Sequence, residues 1–454
     1  FNEIINGKPD WVNEEEFSFN RAFDFNADGT MLAWIRYDES QVPLYSFPWF
    51  KGMYPEKTQY ADYPGTYDYK YPIAGQPNSV VKVMTFDIKS RAIREMQLPI
   101  PADGYIPRIH FTDDPLKLLV FTQNRHQNQL DIYIANPRST ECRIIVRDQA
   151  EHYITEEPYK NISLHPGGFV LMSERSGFNH LYLYDLNGTM KRQLTTGNFV
   201  VTDYYGYDEK TGTTYYASNQ EGPTRKAVYK SDIKGKVVKL STKEGTNDAI
   251  FSKNMKYFMN VYSNINTPPV TTLCDAKGKE LKVLEDNQEL KDKLAAIDLG
   301  ERRSFSFKTQ DGVELNGYMV LPPNFNEAQK YPVVMYQYSG PGSQQVLDSW
   351  YTGNMTGTLY EQYLGQRGFI SVVVDGRGTG GRGRDFEQCT YLKLGQLESH
   401  DQAEAAIYLG SLPYVDKNRI GIWGWSFGGF NTLMSMSEGR GVFAAGVAVA
   451  PPTS

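Results

Sequence analysis

The stretch I-G-I-W-G-W-S-F-G-G-F, Ile420 to Phe430, decides how the last third of this chain folds. An apolar run, Arg419 to Trp423, reads as a buried strand. It leads directly into a G-x-S-x-G frame centred on Ser426, with Gly424 and Gly428 on either side. A sharp strand-to-helix turn at the serine needs near-absent side chains two residues before and after it. Such a turn lifts the serine Oγ clear of the sheet and aims the next backbone N–H, that of Phe427, at the same spot. The bland alternative is a glycine-rich turn carrying an incidental serine. The strand before the frame, and Gly429 after it, favour a nucleophile.

Working outward, Pro332 to Tyr338 and Phe369 to Val374 are also continuous apolar runs bounded by glycine. Runs of this kind suit strands buried on both faces of a parallel sheet. A helical pattern over Leu394 to Leu412 lies between the last two strands, and Asp311-Gly312 marks a hairpin. Strand, helix, strand is an α/β layer architecture, expected over residues 301–454 with its boundary near 295–306. Upstream, residues 1–300 are rich in tyrosine, threonine and valine. Short alternating runs recur there: Met31 to Arg36, Lys117 to Thr122, Phe169 to Ser173, Leu181 to Tyr184, Thr213 to Ala217 and Tyr257 to Tyr262. Their period of two predicts half-buried strands. A strand–turn–strand unit returns every 45 to 50 residues or so, a spacing of propeller blades. A Tyr/Pro-rich insertion over about 41–80 stretches the first interval. The expectation is a β-propeller domain, all-β, followed by an α/β domain; an array of β-sandwiches is the competing reading.

At 454 residues the chain is too long for one ordinary domain. With 40% hydrophobic and 22% charged residues it has material for large cores, which excludes a mainly disordered chain. A net charge of −6 gives no reason to expect nucleic acid or an anionic membrane as partner. No apolar run approaches the roughly 18 residues that span a bilayer. Cys142, Cys274 and Cys389 lie far apart without a C-x-x-C spacing, so three buried small hydrophobes are expected and no metal site, with one bridge plus a free thiol as the alternative. The chain opens on Phe1 with no signal peptide, pointing to a processed or partial chain.

A serine nucleophile needs a base oriented by a carboxylate, and around this elbow those partners follow in the order Ser, Asp, His. All six histidines precede Ser426. His400 beside Asp401 sits at a helix start before the nucleophile strand and reads as a surface or capping residue. D-G-R-G-T-G-G-R-G from Asp375 contains G-x-G-x-x-G, but Arg382 and Arg384 crowd it, and a flexible loop is the better reading. Glu14 to Glu16 in D-W-V-N-E-E-E-F read, taken alone, as the solvated first turn of a helix. If partly desolvated, they could instead hold an ammonium group.

Five ordered motifs together resemble the dipeptidyl peptidase IV family within the prolyl oligopeptidase clan of serine peptidases. They are D-W-V-N-E-E-E-F (Asp10–Phe17), K-Y-P-I-A-G-Q-P-N (Lys70–Asn78), Y-S-G-P-G-S-Q (Tyr338–Gln344), D-G-R-G-T-G (Asp375–Gly380) and G-W-S-F-G-G (Gly424–Gly429). The resemblance implies a propeller capping an α/β-hydrolase domain, with the active site in the cavity between them. It implies that Glu15 and Glu16 fix the substrate's N-terminal ammonium, a dipeptide's reach from Ser426. Tyr338 would donate its hydroxyl to the oxyanion beside the Phe427 amide, and Tyr153 would line the second-residue subsite, on a looser match. The family's Asp and His, and most of its proline pocket, are expected beyond Ser454, and its carbonyl-gripping arginine before Phe1. The implied activity is release of N-terminal Xaa-Pro or Xaa-Ala dipeptides without metal or organic cofactor, by a homodimer that is secreted, periplasmic or on the cell surface. A prolyl tripeptidyl peptidase and a non-catalytic peptide-binding homologue are the alternatives.

Overall fold

The structure, a computed structural model, describes residues 3–50, 63–350 and 357–453. It divides into two compact units: Phe1–Arg175 with Leu181–Gln193, and Ser176–His180 with Leu194–Ser454. The first unit is built from antiparallel sheets. A five-stranded sheet pairs Ile4–Asn6, Met31–Asp38, Val80–Asp87 and Ile93–Glu95 in that order, with Phe23–Phe25 also paired to Met31–Asp38. Two four-stranded sheets follow, from Tyr105–Phe111 to Cys142–Gln149 and from Ser163–His165 to Met190–Gln193. The segment inserted after Asp38 forms its own hairpin, Leu44–Trp49 against Gly65–Lys70; residues 51–62 of that insertion lie outside the described residues.

Strand Met31–Asp38 alternates as its sequence predicts. Met31, Ala33, Ile35 and Tyr37 are buried, and the residues between them are half-buried. Leu118–Gln123 departs from the half-buried expectation, since all six residues are buried. Leu118 and Val120 enter one hydrophobic core while Leu119 and Phe121 enter another. Successive side chains leave a strand on opposite faces, so this sheet is packed on both sides, as stacked blades require. At the second unit's start two more four-stranded antiparallel sheets repeat the pattern, Val201–Asp208 to Val237–Lys239 and Thr246–Phe251 to Glu280–Glu285.

After helix Gln288–Ala295 the sheet type changes. A six-stranded sheet runs in the order Arg302–Lys308, Glu314–Val320, Ile370–Asp375, Tyr331–Tyr336, Val415–Trp425, Ala445–Val449. The first two strands are antiparallel and the last four mutually parallel. Val333, Met335, Ile370 and Val372 pack against Ala403, Ala406 and Leu409 of helix Gln396–Ser411, which makes the central strands apolar throughout. Propeller-like blades plus an α/β layer bear out the expected fold class.

Two local expectations are corrected. The segment after Asp375, read as a flexible loop, is a pinned turn: Gly378 N–H donates to Phe386 O, and Gly380 N–H to Ser343 O, both at 3.0 Å. A short helix, Arg384–Gln388, follows it. The three cysteines are all free, but only Cys274 is fully buried; Cys142 is half-buried and Cys389 exposed. Among the described residues no helix is long and apolar enough to cross a membrane.

Glu398, in the first turn of helix Gln396–Ser411, is fully buried. Burial pushes its carboxyl up to about 7, against the pull of backbone N–H groups at the helix start. The folded chain therefore keeps a proton that the unfolded chain releases near pH 4.5, so stability falls as pH rises toward 7. Glu398→Gln should match wild type near pH 4 and exceed it by about 3 kcal/mol at pH 8. Urea unfolding at several pH values checks this; a pH-independent difference refutes it.

Candidate active site

Strand Val415–Trp425 delivers Ser426 to the C-terminal end of the parallel strands with φ +55° and ψ −120°, a conformation that costs a non-glycine residue roughly 1–3 kcal/mol. The surroundings hold it there. Ser426 N–H donates to Val449 O of the neighbouring strand at 2.9 Å, and Phe430 N–H closes the first helical turn onto Ser426 O at 3.0 Å. Helix Phe427–Ser437 begins immediately, so the Phe427 amide is the first of the helix-start N–H groups that intrahelical bonds leave free.

The flanking glycines are steric requirements. A Cβ on Gly424 would stand 2.4 Å from Gly428 O and 2.5 Å from Gln337 O; one on Gly428 would stand 2.4 Å from Gln337 O. All three contacts are with backbone, which cannot step aside without moving the sheet or the helix.

Tyr338 follows the end of strand Tyr331–Tyr336. Its ring lies over Gly340, where an added Cβ would meet Cε1 at 2.6 Å, and its centroid is 6.3 Å from that of Phe427. Ser339 next to it takes a left-handed φ of +63°, turning the chain out of the sheet. Beyond it, Asp375 at the end of strand Ile370–Asp375 accepts the N–H groups of Gln345 and Val346 at 2.9 and 2.7 Å. Burial pushes this carboxyl up to about 7. Ser426, Phe427 and Tyr338 thus belong to one unit, on parts that share Gln337 and Gly428 as contacts.

Glu15, Glu16 and Tyr153 belong to the other unit. The triplet is not a helix start as a whole. Helix Trp11–Glu16 is six residues long, and Glu15 and Glu16 close it. Asp10 caps its N-terminus, accepting from Asn13 N–H at 2.8 Å and from the Ser79 hydroxyl at 2.5 Å. Both acids are exposed, and among the described residues neither forms an ion pair. Crowding by neighbouring atoms, then Glu15 and Glu156, raises the Glu16 pKa. Two carboxylates at a helix's negative end, with a third nearby, are destabilising for the fold alone. Glu156 precedes helix Glu157–Lys160 and accepts from the Ser18 hydroxyl at 3.2 Å. Tyr153 is half-buried in the loop before that helix.

His400 is within 3.2 Å of Asp401, but Asp401 is fully buried and engaged with Arg377, whose Nη2 lies 2.6 Å away. That carboxylate is spent on an ion pair. Among the described residues no three His, Cys, Asp or Glu side chains converge as metal ligands. Sequence reading missed Asp10, Glu156 and Gln337. Asp10 alone carried a signal, an Asp standing just before a helical segment.

The two glycines of the nucleophile strand, Gly421 and Gly424, allow a graded test. Gly424→Ala should lower stability by about 1–3 kcal/mol. Gly421→Ala, whose Cβ would find its nearest neighbour at 3.5 Å, should change it far less. Equal effects in chemical denaturation would overturn the steric account.

Residues 2–269 match the dipeptidyl peptidase IV (DPP IV) N-terminal region, and residues 357–454 match the prolyl oligopeptidase family. The chain is 33% identical over 466 residues to a probable dipeptidyl peptidase 4 of Arthroderma benhamiae, covering 99% of this chain and 59% of that one. It is 32% identical to dipeptidyl peptidase 4 of Trichophyton equinum, with the same coverage. The crystal structure of Porphyromonas gingivalis dipeptidyl peptidase 4 superposes with a TM-score of 0.91 at 45% identity, over 99% of this chain and 62% of that one. A putative dipeptidyl aminopeptidase IV from Bacteroides ovatus gives 0.87 at 28% identity, over 99% and 65%. The chain spans about three fifths of the length of the curated relatives it matches. It belongs to the dipeptidyl peptidase IV family of prolyl oligopeptidase serine peptidases.

Proposed function

We propose that the full-length protein carrying this chain is a serine exopeptidase releasing N-terminal dipeptides with proline or alanine second. The observation that carries the reading is the strained Ser426 turn, set beside Tyr338 and the first amide of helix Phe427–Ser437. Ser426 Oγ attacks the scissile carbonyl as its proton passes to a base, a histidine on family resemblance. The negative charge developing on the carbonyl oxygen is taken up by the Tyr338 hydroxyl and the Phe427 N–H. The carbon–nitrogen bond breaks, the amine leaves with the proton, and water hydrolyses the acyl-enzyme.

Glu15 and Glu16 are assigned, on family resemblance, to the substrate's N-terminal ammonium. An ammonium offers a full charge and three donors, so two adjacent carboxylates select a free N-terminus and reject an internal peptide segment, which has no charge to offer there. Tyr153 is assigned, on family resemblance, to the second-residue subsite. A homodimer, and a secreted, periplasmic or surface location, belong to the same proposal and rest on resemblance too.

Hydrolysis of Gly-Pro p-nitroanilide by the full-length protein tests the reading. Ser426→Ala should abolish turnover, and Tyr338→Phe should lower kcat by about 10²–10³-fold. Glu15→Gln and Glu16→Gln should each lower kcat/KM by about 10–100-fold. Because the Glu16 pKa is raised, KM should begin to climb on acidification above the ordinary carboxylate range. Preference for Ala-Ala-Pro p-nitroanilide would instead identify tripeptide release. Absence of fluorophosphonate labelling at Ser426 would identify a non-catalytic binder.

A further inference from the structure

The geometry points to Gln337 as a positioning residue that sets the distance between the two oxyanion donors; this rests on the acyl-transfer reading above. Gln337 is fully buried between the end of strand Tyr331–Tyr336 and helix Phe427–Ser437. A primary amide has two N–H donors and two acceptor lone pairs, and all four are used. Nε2 donates to Gly428 O at 2.6 Å and to Thr432 Oγ1 at 3.1 Å. Oε1 accepts the Ser339 hydroxyl at 2.7 Å and Asn431 Nδ2 at 3.1 Å. The orientation is fixed, because a flipped amide would set its oxygen against the Gly428 carbonyl.

These partners are placed with respect to the chemistry. Gly428, Asn431 and Thr432 belong to the helix that begins with the Phe427 amide, while Ser339 adjoins Tyr338. Gln337 N–H also donates to Trp423 O of the nucleophile strand at 3.1 Å, and its own carbonyl forbids a side chain at Gly424 and Gly428. One residue therefore ties the tyrosine donor, the amide donor and the serine's strand to one another. A neutral hydrocarbon of the same length would fill the space and make none of these bonds. It would also take from the buried Ser339 hydroxyl and Asn431 Nδ2 the acceptor they now share, leaving both free to relax into other spacings. Since the oxyanion forms only in the transition state, misplacing its donors lowers kcat and spares ground-state binding.

The test uses the full-length protein and Gly-Pro p-nitroanilide, with Gln337→Met as the volume-conserving variant. A misplacement on the ångström scale predicts a loss in kcat on the order of 10²-fold with KM little changed. Ser339→Gly keeps the left-handed turn and deletes one of the four bonds. It should lower kcat about 2- to 10-fold, and it decides the matter should Gln337→Met not fold. Wild-type kcat in a folded Gln337→Met, or in Ser339→Gly where that is the readable variant, overturns the positioning role. So does a KM that rises as far as kcat falls. A wild-type protein that neither turns over substrate nor takes a fluorophosphonate label sinks the exopeptidase reading itself, and the positioning role with it.

Discussion

The α/β unit turns on one steric constraint: the Gln337 carbonyl occupies the space that a β-carbon at either Gly424 or Gly428 would need. Two backbones approach this closely only where side chains are missing from one of them. The approach forces the chain from strand into helix within a single residue, and that residue is Ser426, held at φ +55°. Strain at one position is tolerated because the parallel strands around it are over-determined by packing. Val333, Met335, Val372 and Ile422 are each at most 2% exposed. The buried sheet thus provides the rigidity, and the turn it supports exposes a hydroxyl beside a helix-start amide.

The acids of the other unit follow a different logic. Glu15 and Glu16 sit at the end of a six-residue helix, where the local field favours cations, and neither has an ion-pair partner among the described residues. Their placement depends on Asp10, which is 6% exposed and caps the helix while accepting the Ser79 hydroxyl. A buried cap anchors the helix, and the exposed acids are left to face solvent or a ligand. An arrangement that costs stability where charge is concentrated is the pattern expected of a binding site.

Much of this was legible in the sequence because it rests on local periodicity. The strands that contain Ala33, Phe121, Val170 and Val372 appear within two residues of where alternation or apolar runs place them. The Ser426 turn was legible because glycine spacing encodes a backbone clash directly. Burial on both faces of Leu118–Gln123 was not, because it arises from neighbouring sheets that contribute separate cores. The turn after Asp375 was misread for a related reason. Its glycines look permissive, but Phe386 and Ser343 supply backbone partners from elsewhere in the chain.

Gln337 shows the limit most clearly. In sequence it is one polar residue near the end of the apolar run Pro332 to Tyr338, with nothing beside it to mark a role. In the fold it is fully buried, and its amide is satisfied by residues two positions away and more than ninety positions away. No periodicity encodes such a residue, because its partners exist only once the strand and the helix have packed. Buried polar groups must be paired, so a glutamine at such a junction either disrupts the core or organises it. Four bonds to groups flanking both proposed donors put Gln337 in the second class, and they connect the packing of this domain to the chemistry it supports.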